Sequence, residues 1–155
     1  MVIRYPDCKD TNSFESGLQF QDFVLDTLLS NLGIAISNYT SRKWQFEVGE
    51  NRQGIEIKLD RRILETGNVS IEVAEKSRAD ANKEYAPSGI FRDDNSWLYI
   101  QGNWHILFIF PKNILKHLYW SGRYKVDEYP TIKRFLMPIE DARKYAAKVI
   151  EIKSI

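Results

Sequence analysis

Two acid-and-lysine pairs lie close together in mid-chain. Glu56 is followed by Lys58 in Gly54-Ile55-Glu56-Ile57-Lys58-Leu59, and Glu72 by Lys76 in Ile71-Glu72-Val73-Ala74-Glu75-Lys76. In both runs apolar residues alternate with polar ones, which is the period of a strand. Glu56 and Lys58 therefore share one face, and Lys76 joins Glu72 on its face if that strand runs so far. Neighbouring strands lie about 5 Å apart, near enough for two carboxylates to converge on one divalent cation and a phosphate. Phosphodiester hydrolysis needs an activated water, a counter-charge for the developing phosphorane and help for the leaving oxygen. Carboxylates holding Mg²⁺ supply most of this, and an adjacent lysine stabilises charge or orients the water. One Glu-x-Lys on an exposed strand is commonly a solvated ion pair of little energetic weight. Two in succession behind an amphipathic helix single this stretch out.

The elements that must position these residues follow from the same patterns. Residues 1–12 are polar and turn-rich and read as an arm leading into one domain spanning 1–155. From Ser13 to Leu32, Phe20, Val24 and Leu28 recur at helical spacing, and Leu25, Leu29 and Leu32 widen the apolar stripe. Ser13 or Ser16 suits the start of this helix and Gly33 its end. Ile34 to Gln45 reads as a connector with strand character, and Phe46 to Gln53 as a turn or strand end. Strands are expected at 55–59 and 69–74, separated by a turn at Glu65-Thr66-Gly67-Asn68. A hairpin is expected from Trp97–Ile100 and Trp104–Phe110 around Gln101-Gly102-Asn103. Pro111 opens a short helix to about Trp120. Residues 121–135 read as irregular, and a last helix runs from Pro138 to about Val149. Short turns between strands favour a mixed or antiparallel sheet of about five strands flanked by helices, an α/β fold.

Composition narrows the class. The chain has 155 residues, 43% hydrophobic and 13% aromatic, enough for a packed core. Its one cysteine, Cys8, rules out a disulfide framework and points to a reducing, cytoplasmic setting. The first residues lack the pattern of a signal peptide, and no apolar run is long enough to span a membrane. Net charge is +1, from 22 basic and 21 acidic residues. That is weak for a nonspecific nucleic-acid binder, yet acids around a metal can cancel a basic rim. His105 and His117 have no Cys/His cluster nearby and read as structural. No glycine-rich phosphate loop is present.

The order of helix, strand with an acid after a glycine-containing turn, and strand with Ile71-Glu72-Val73 resembles the PD-(D/E)XK nuclease superfamily. The match extends through Gln53-Gly54-Ile55-Glu56-Ile57-Lys58, Thr66-Gly67-Asn68, Glu75-Lys76 and Ser88-Gly89-Ile90. Over nearly the whole chain it is similar to homing endonucleases encoded in cyanobacterial group I introns. The resemblance implies a restriction-endonuclease-like core and Mg²⁺-dependent cleavage of double-stranded DNA, with Mn²⁺ or Ca²⁺ able to substitute in the site. It implies a homo-oligomer, dimer or tetramer. Glu56 and Glu72 would be the metal ligands, with Glu15 as the assisting helical acid. The chain departs from the pattern at one position: the family's lysine falls two residues after the second acid, where this chain has Ala74. Lys58 and Lys76 are the two alternatives.

Arg42, Lys43, Arg52, Arg61 and Arg62 are the basic residues expected near the cleft, with Lys133 and Arg134 further away. Arginine suits base and phosphate recognition. Two other readings compete with an endodeoxyribonuclease. Ala74 suits a DNA-binding relative without catalysis. The aromatic hairpin and residues 119–135 suit an oligomerisation module.

Overall fold

The computed structural model describes residues 13–77, 79 and 84–153; the proposed arm and Cys8 lie outside them. Helix α1 spans Ser13–Leu32. It buries Phe20, Phe23, Val24 and Leu28, whereas Leu29 is 55% and Leu32 38% exposed, so its apolar stripe is narrower than the leucine pattern suggests. Ser16 is not a cap: it is buried inside the helix. Gly33, at φ 66°, closes the helix by donating its amide to the Leu29 carbonyl.

The connector holds a short helix, α2 (Arg42–Glu47), and an isolated bridge between Asn38 and Asn51 in place of a strand. Strand β1 covers Ile55–Leu59, helix α3 Ile63–Thr66 and strand β2 Asn68–Glu75. Two residues of β3 (Ala86–Pro87) lead into a 3-10 turn at Gly89–Phe91. The expected hairpin forms from β4 (Leu98–Gly102) and β5 (Ile106–Pro111), followed by α4 (Lys112–Trp120). The stretch expected to be irregular contains a second hairpin, β6 (Val126–Tyr129) and β7 (Ile132–Pro138). Helix α5 stops at Tyr145, and the chain continues into β8 (Lys148–Glu151).

These strands form two sheets of four, not one of five. The first is mixed, in the order β1-β4-β5-β8, with β1 parallel to β4. The second is antiparallel, in the order β3-β2-β7-β6. Packing explains the arrangement. Ile55, Ile57, Ile100, Leu107 and Ile109 on one face of the first sheet meet α1. Tyr99, Phe108 and Phe110 on its other face join Val69, Ile71, Phe135 and Met137 of the second sheet, with Leu115 of α4, in a separate core. β1 and β2 thus belong to different sheets and are not neighbours.

Candidate functional site

A cleft of about 440 Å³ lies where the polar ends of the two sheets meet, lined by Lys58, Asp60 and Glu72 together with Arg61, Arg62 and Arg134. The alternation of β1 turns Ile55 and Ile57 to α1 and leaves Glu56 and Lys58 on the opposite face. Glu56 is 3% exposed, and Lys58 Nζ lies 3.2 Å from its Oε1. Glu72 enters from β2 and accepts a 2.5 Å hydrogen bond from Ser88 Oγ at Oε1; Oε2 has no hydrogen-bond partner among the described residues. The next residue, Gly89, has φ 53°, and a Cβ there would lie 2.2 Å from the Glu72 carbonyl oxygen. Glycine alone lets the turn lie so close to the acid. Both acids act on Lys58 from different sheets, not along one as their spacing suggested; Glu72 lines the cleft, whereas Glu56 is not among its lining residues.

A further carboxylate joins them. Glu50 Oε2 accepts the amide of Ile57 at 2.8 Å. β1 is an edge strand, so this side chain satisfies a backbone donor that no strand reaches. Burial pushes the Glu50 carboxyl up to about 8, Lys58 pulling against it and Glu56 adding to it. Glu56 is also raised, mainly by burial, with Lys58 opposing. Burial works to lower Lys58, but Glu56, Glu72 and Glu50 together hold it above the ordinary lysine range. One ammonium thus answers to three carboxyl groups, two of which, Glu50 and Glu56, burial biases towards the protonated form.

Behind Glu56 lies a buried ion pair. Lys112 Nζ is 3.1 Å from Asp94 Oδ1 and donates to Ser96 Oγ at 2.5 Å and to the Arg92 carbonyl. Ser96 Oγ is in turn 3.5 Å from Glu56 Oε2. Burial acts to raise Asp94, but hydrogen bonds from Ser96 and Lys112 hold it below the usual carboxylate range. Asp60 is structural: its Oδ2 accepts the Ser70 amide at 3.0 Å and Gln101 Nε2 at 3.1 Å, and Gln101 Nε2 also reaches the Ser70 carbonyl. The Tyr99 hydroxyl and Gln101 Oε1 are buried beside these acids without a hydrogen-bond partner. Burial, then Glu56, Glu72 and Glu50, holds Tyr99 far above its ordinary range, so the hydroxyl remains protonated.

The lysine alternatives separate. Between Glu72 and Ala74 the pairing with β7 shifts: Arg134 stands opposite Glu72, and its neighbour Lys133 opposite Ala74. This β-bulge turns Ala74 away from the cleft, so that it packs with Val73 against the inter-sheet core. Strand periodicity therefore fails at this point. Lys76 lies past the end of β2, 4.8 Å above the Tyr85 ring, and does not line the cleft. Lys58 is the lysine that the fold brings to the acids.

The basic residues divide similarly. Arg61 and Arg62 line the cleft, as does Arg134, which the sequence had set further off. Each already has a partner: Arg61 binds Ser16 Oγ, Arg62 pairs with Glu65 at 2.9 Å, and Arg134 pairs with Asp127 at 2.8 Å. Lys43 and Arg52 are exposed and are not among the lining residues, and the Arg42 side chain is outside those described. Lys133 faces a second pocket. Glu15 is exposed in the first turn of α1 and does not line the cleft, although Ser16 beside it touches Arg61.

Among the described residues no group of three or more His, Cys, Asp or Glu side chains is placed to hold a metal ion. A two-carboxylate set still fits Mg²⁺, which keeps several waters and takes only one or two carboxylates from a protein. The Glu72 oxygen left without a hydrogen-bond partner among the described residues fits it as well. No helix among the described residues is long and apolar enough to cross a membrane. No protein-family model, curated protein or solved structure matches this chain.

Sequence reasoning missed Glu50, Ser88, Asp94, Ser96 and Lys112. Glu50 sits in a turn and Lys112 opens a helix, outside any alternating run. The polarity of 92–96 was the one available signal, and it reads equally as a loop.

Proposed function

We propose that this chain is a Mg²⁺-dependent endonuclease that hydrolyses phosphodiester bonds of double-stranded DNA, on a restriction-endonuclease-like plan and of the intron-homing kind. The observation that carries the reading is that Lys58, paired with the buried Glu56, lines an arginine-rimmed cleft together with Glu72 from the other sheet. Glu56 and Glu72 would hold the metal through Glu56 Oε2 and the free oxygen of Glu72. A Mg²⁺ ion there would polarise the phosphate and acidify a bound water. Lys58 places its charge beside the phosphoryl oxygens as negative charge develops. Water adds to phosphorus, the bond to the leaving sugar oxygen breaks, the water gives up a proton to solvent or a carboxylate, and the leaving oxygen takes one. Arg61, Arg62 and Arg134 contact the backbone, exchanging their carboxylate or hydroxyl partners for phosphates. The protein would act in the cytoplasm as a dimer or tetramer, which suits a nearly palindromic site.

The test is cleavage of a randomised duplex library with and without Mg²⁺. Wild type should cut only with Mg²⁺ or Mn²⁺, and Glu56→Gln and Glu72→Gln should each lose cutting while still binding duplex. Cutting retained by both variants overturns the reading. Ala74, in the slot where the resemblance places a lysine, favours a second reading, a DNA-binding relative without catalysis. That reading expects salt-dependent duplex binding and no cutting with either metal.

A further inference from the structure

On the opposite side of β2 from Glu72 lies a second pocket of about 420 Å³, open to solvent. Its walls are rings: Tyr85, Phe91, Tyr119 and Trp120. Phe91 meets Tyr119 edge-on at 5.3 Å and Trp120 at 5.5 Å, which fixes the three as one aromatic corner. Trp120 is 63% exposed, so its ring is open to a group entering the pocket. Lys133 lines the pocket, Lys76 lies over Tyr85, and Lys116 lies 6.0 Å from the Phe91 ring. No acidic residue lines it among the described residues; Glu128 stands at its edge, 3.9 Å from Lys133, a loose, half-exposed pair that a phosphate would replace.

Rings to stack on, with cations at the rim and no acid in the lining, suit a flat aromatic group that carries negative charge. A nucleobase on its phosphate backbone has that chemistry. An apolar helix would leave the lysines without use, and a basic peptide would be repelled by them. Position favours the same occupant. The bulge in β2 sends Glu72 to the cleft and Ala74 to this pocket, two residues and about 7 Å further along the strand. A nucleic-acid strand with one phosphate at Glu72 can therefore carry an unpaired neighbouring base over the rim formed by β3. Ala74 also acquires a purpose. It packs beside the rings, where a lysine would fill the space a base needs.

We infer that the Trp120–Tyr119–Phe91–Tyr85 pocket binds an unpaired nucleobase of the nucleic-acid strand engaged by the cleft, by stacking, with Lys133 at its phosphate. The inference deepens the endonuclease reading and rests on it for the identity of the strand. Base stacking on an aromatic side chain contributes about 1–3 kcal/mol per base, or roughly 5- to 150-fold in affinity.

Three probes decide it, all in Ca²⁺: a 12-nucleotide single strand, the same strand made entirely of abasic sugar-phosphate and so equal to it in charge, and a 12-base-pair duplex. The single strand should quench tryptophan emission, the abasic strand should not, and Trp120→Ala should abolish the quench. Trp120→Ala and Ala74→Leu should each weaken single-strand binding about tenfold or more, with duplex affinity changed less than threefold. Equal binding of base-bearing and abasic strands overturns the inference. So does single-strand binding unchanged in both variants, or a concentration-dependent dimer that Trp120→Ala dissolves. Cleavage by wild type in Mg²⁺, read beside the quench in Ca²⁺, separates the two ideas. If wild type quenches but never cuts, the endonuclease reading falls alone; if it cuts without base-dependent quenching, the pocket falls alone.

Discussion

Glu50 carries the sharpest consequence at the scale of single residues. Its folded carboxyl is raised to about 8 from an ordinary 4.5. Below pH 4.5 the folded and unfolded chains both hold the proton, and Glu50 contributes no pH dependence. Between 4.5 and 8 the unfolded chain gives the proton up while the folded chain keeps it, so stability falls as pH rises. Above 8 both are ionised and the loss levels off. At about 1.4 kcal/mol for each unit between the two values, the loss reaches a few kcal/mol. Glu50→Gln keeps an acceptor for the Ile57 amide without this charge. It should be more stable than wild type by a margin that widens from pH 5 to pH 8 and then stays constant, as measured by urea denaturation without divalent metal. A margin that does not change with pH would exclude an ionisable, buried Glu50. Glu56, Lys58 and Glu72 were legible as residues because alternation displayed them. Glu50 was not, since a side chain that caps a strand edge has no period.

Among elements, α1, β1, β2, the β4–β5 hairpin and α4 could be read because each has a period or a stop signal of its own. The β6–β7 hairpin could not. Val126-Asp127-Glu128-Tyr129 is mostly exposed and shows no apolar face, so its strand character comes from pairing with β7 and not from the segment itself. The bulge at Val73 belongs to the same class, set by a partner strand that is remote in sequence. The turn at Ser88-Gly89-Ile90 is the element on which Glu72 depends most. In Gly89→Ala the new methyl would meet the Glu72 backbone in a positive-φ conformation, and strain of this kind costs about 1–3 kcal/mol. The variant should melt lower, and because the turn must move, Ser88 would release Glu72. Mn²⁺ affinity measured by calorimetry on the folded variant should therefore fall, whereas Gly17→Ala, with open space around it, should leave that affinity unchanged. Equal Mn²⁺ affinity in Gly89→Ala and wild type would mean that the turn does not position the acid.

At the scale of the whole molecule, the geometry differs from the one the sequence suggested. Glu56 and Glu72 were expected to be neighbours in one sheet, and instead they stand on two sheets that fold against each other over Tyr99, Phe108, Val69 and Ile71. Strand order is a long-range property: no local pattern distinguishes five strands in one sheet from eight in two. The join between the sheets has a dynamic consequence. Ser70 takes no strand partner for its amide, which is held by Asp60, and Gln101 holds its carbonyl. Its hydrogen can exchange with solvent whenever the sheets part, even while β2 stays zipped to β7. In native-state exchange with deuterium, Ser70 should exchange faster than the amides that β2 shares with β7, and the proposed endonuclease reading expects it to slow towards them when duplex DNA is added. That one amide would act as a clock for the opening of the cleft.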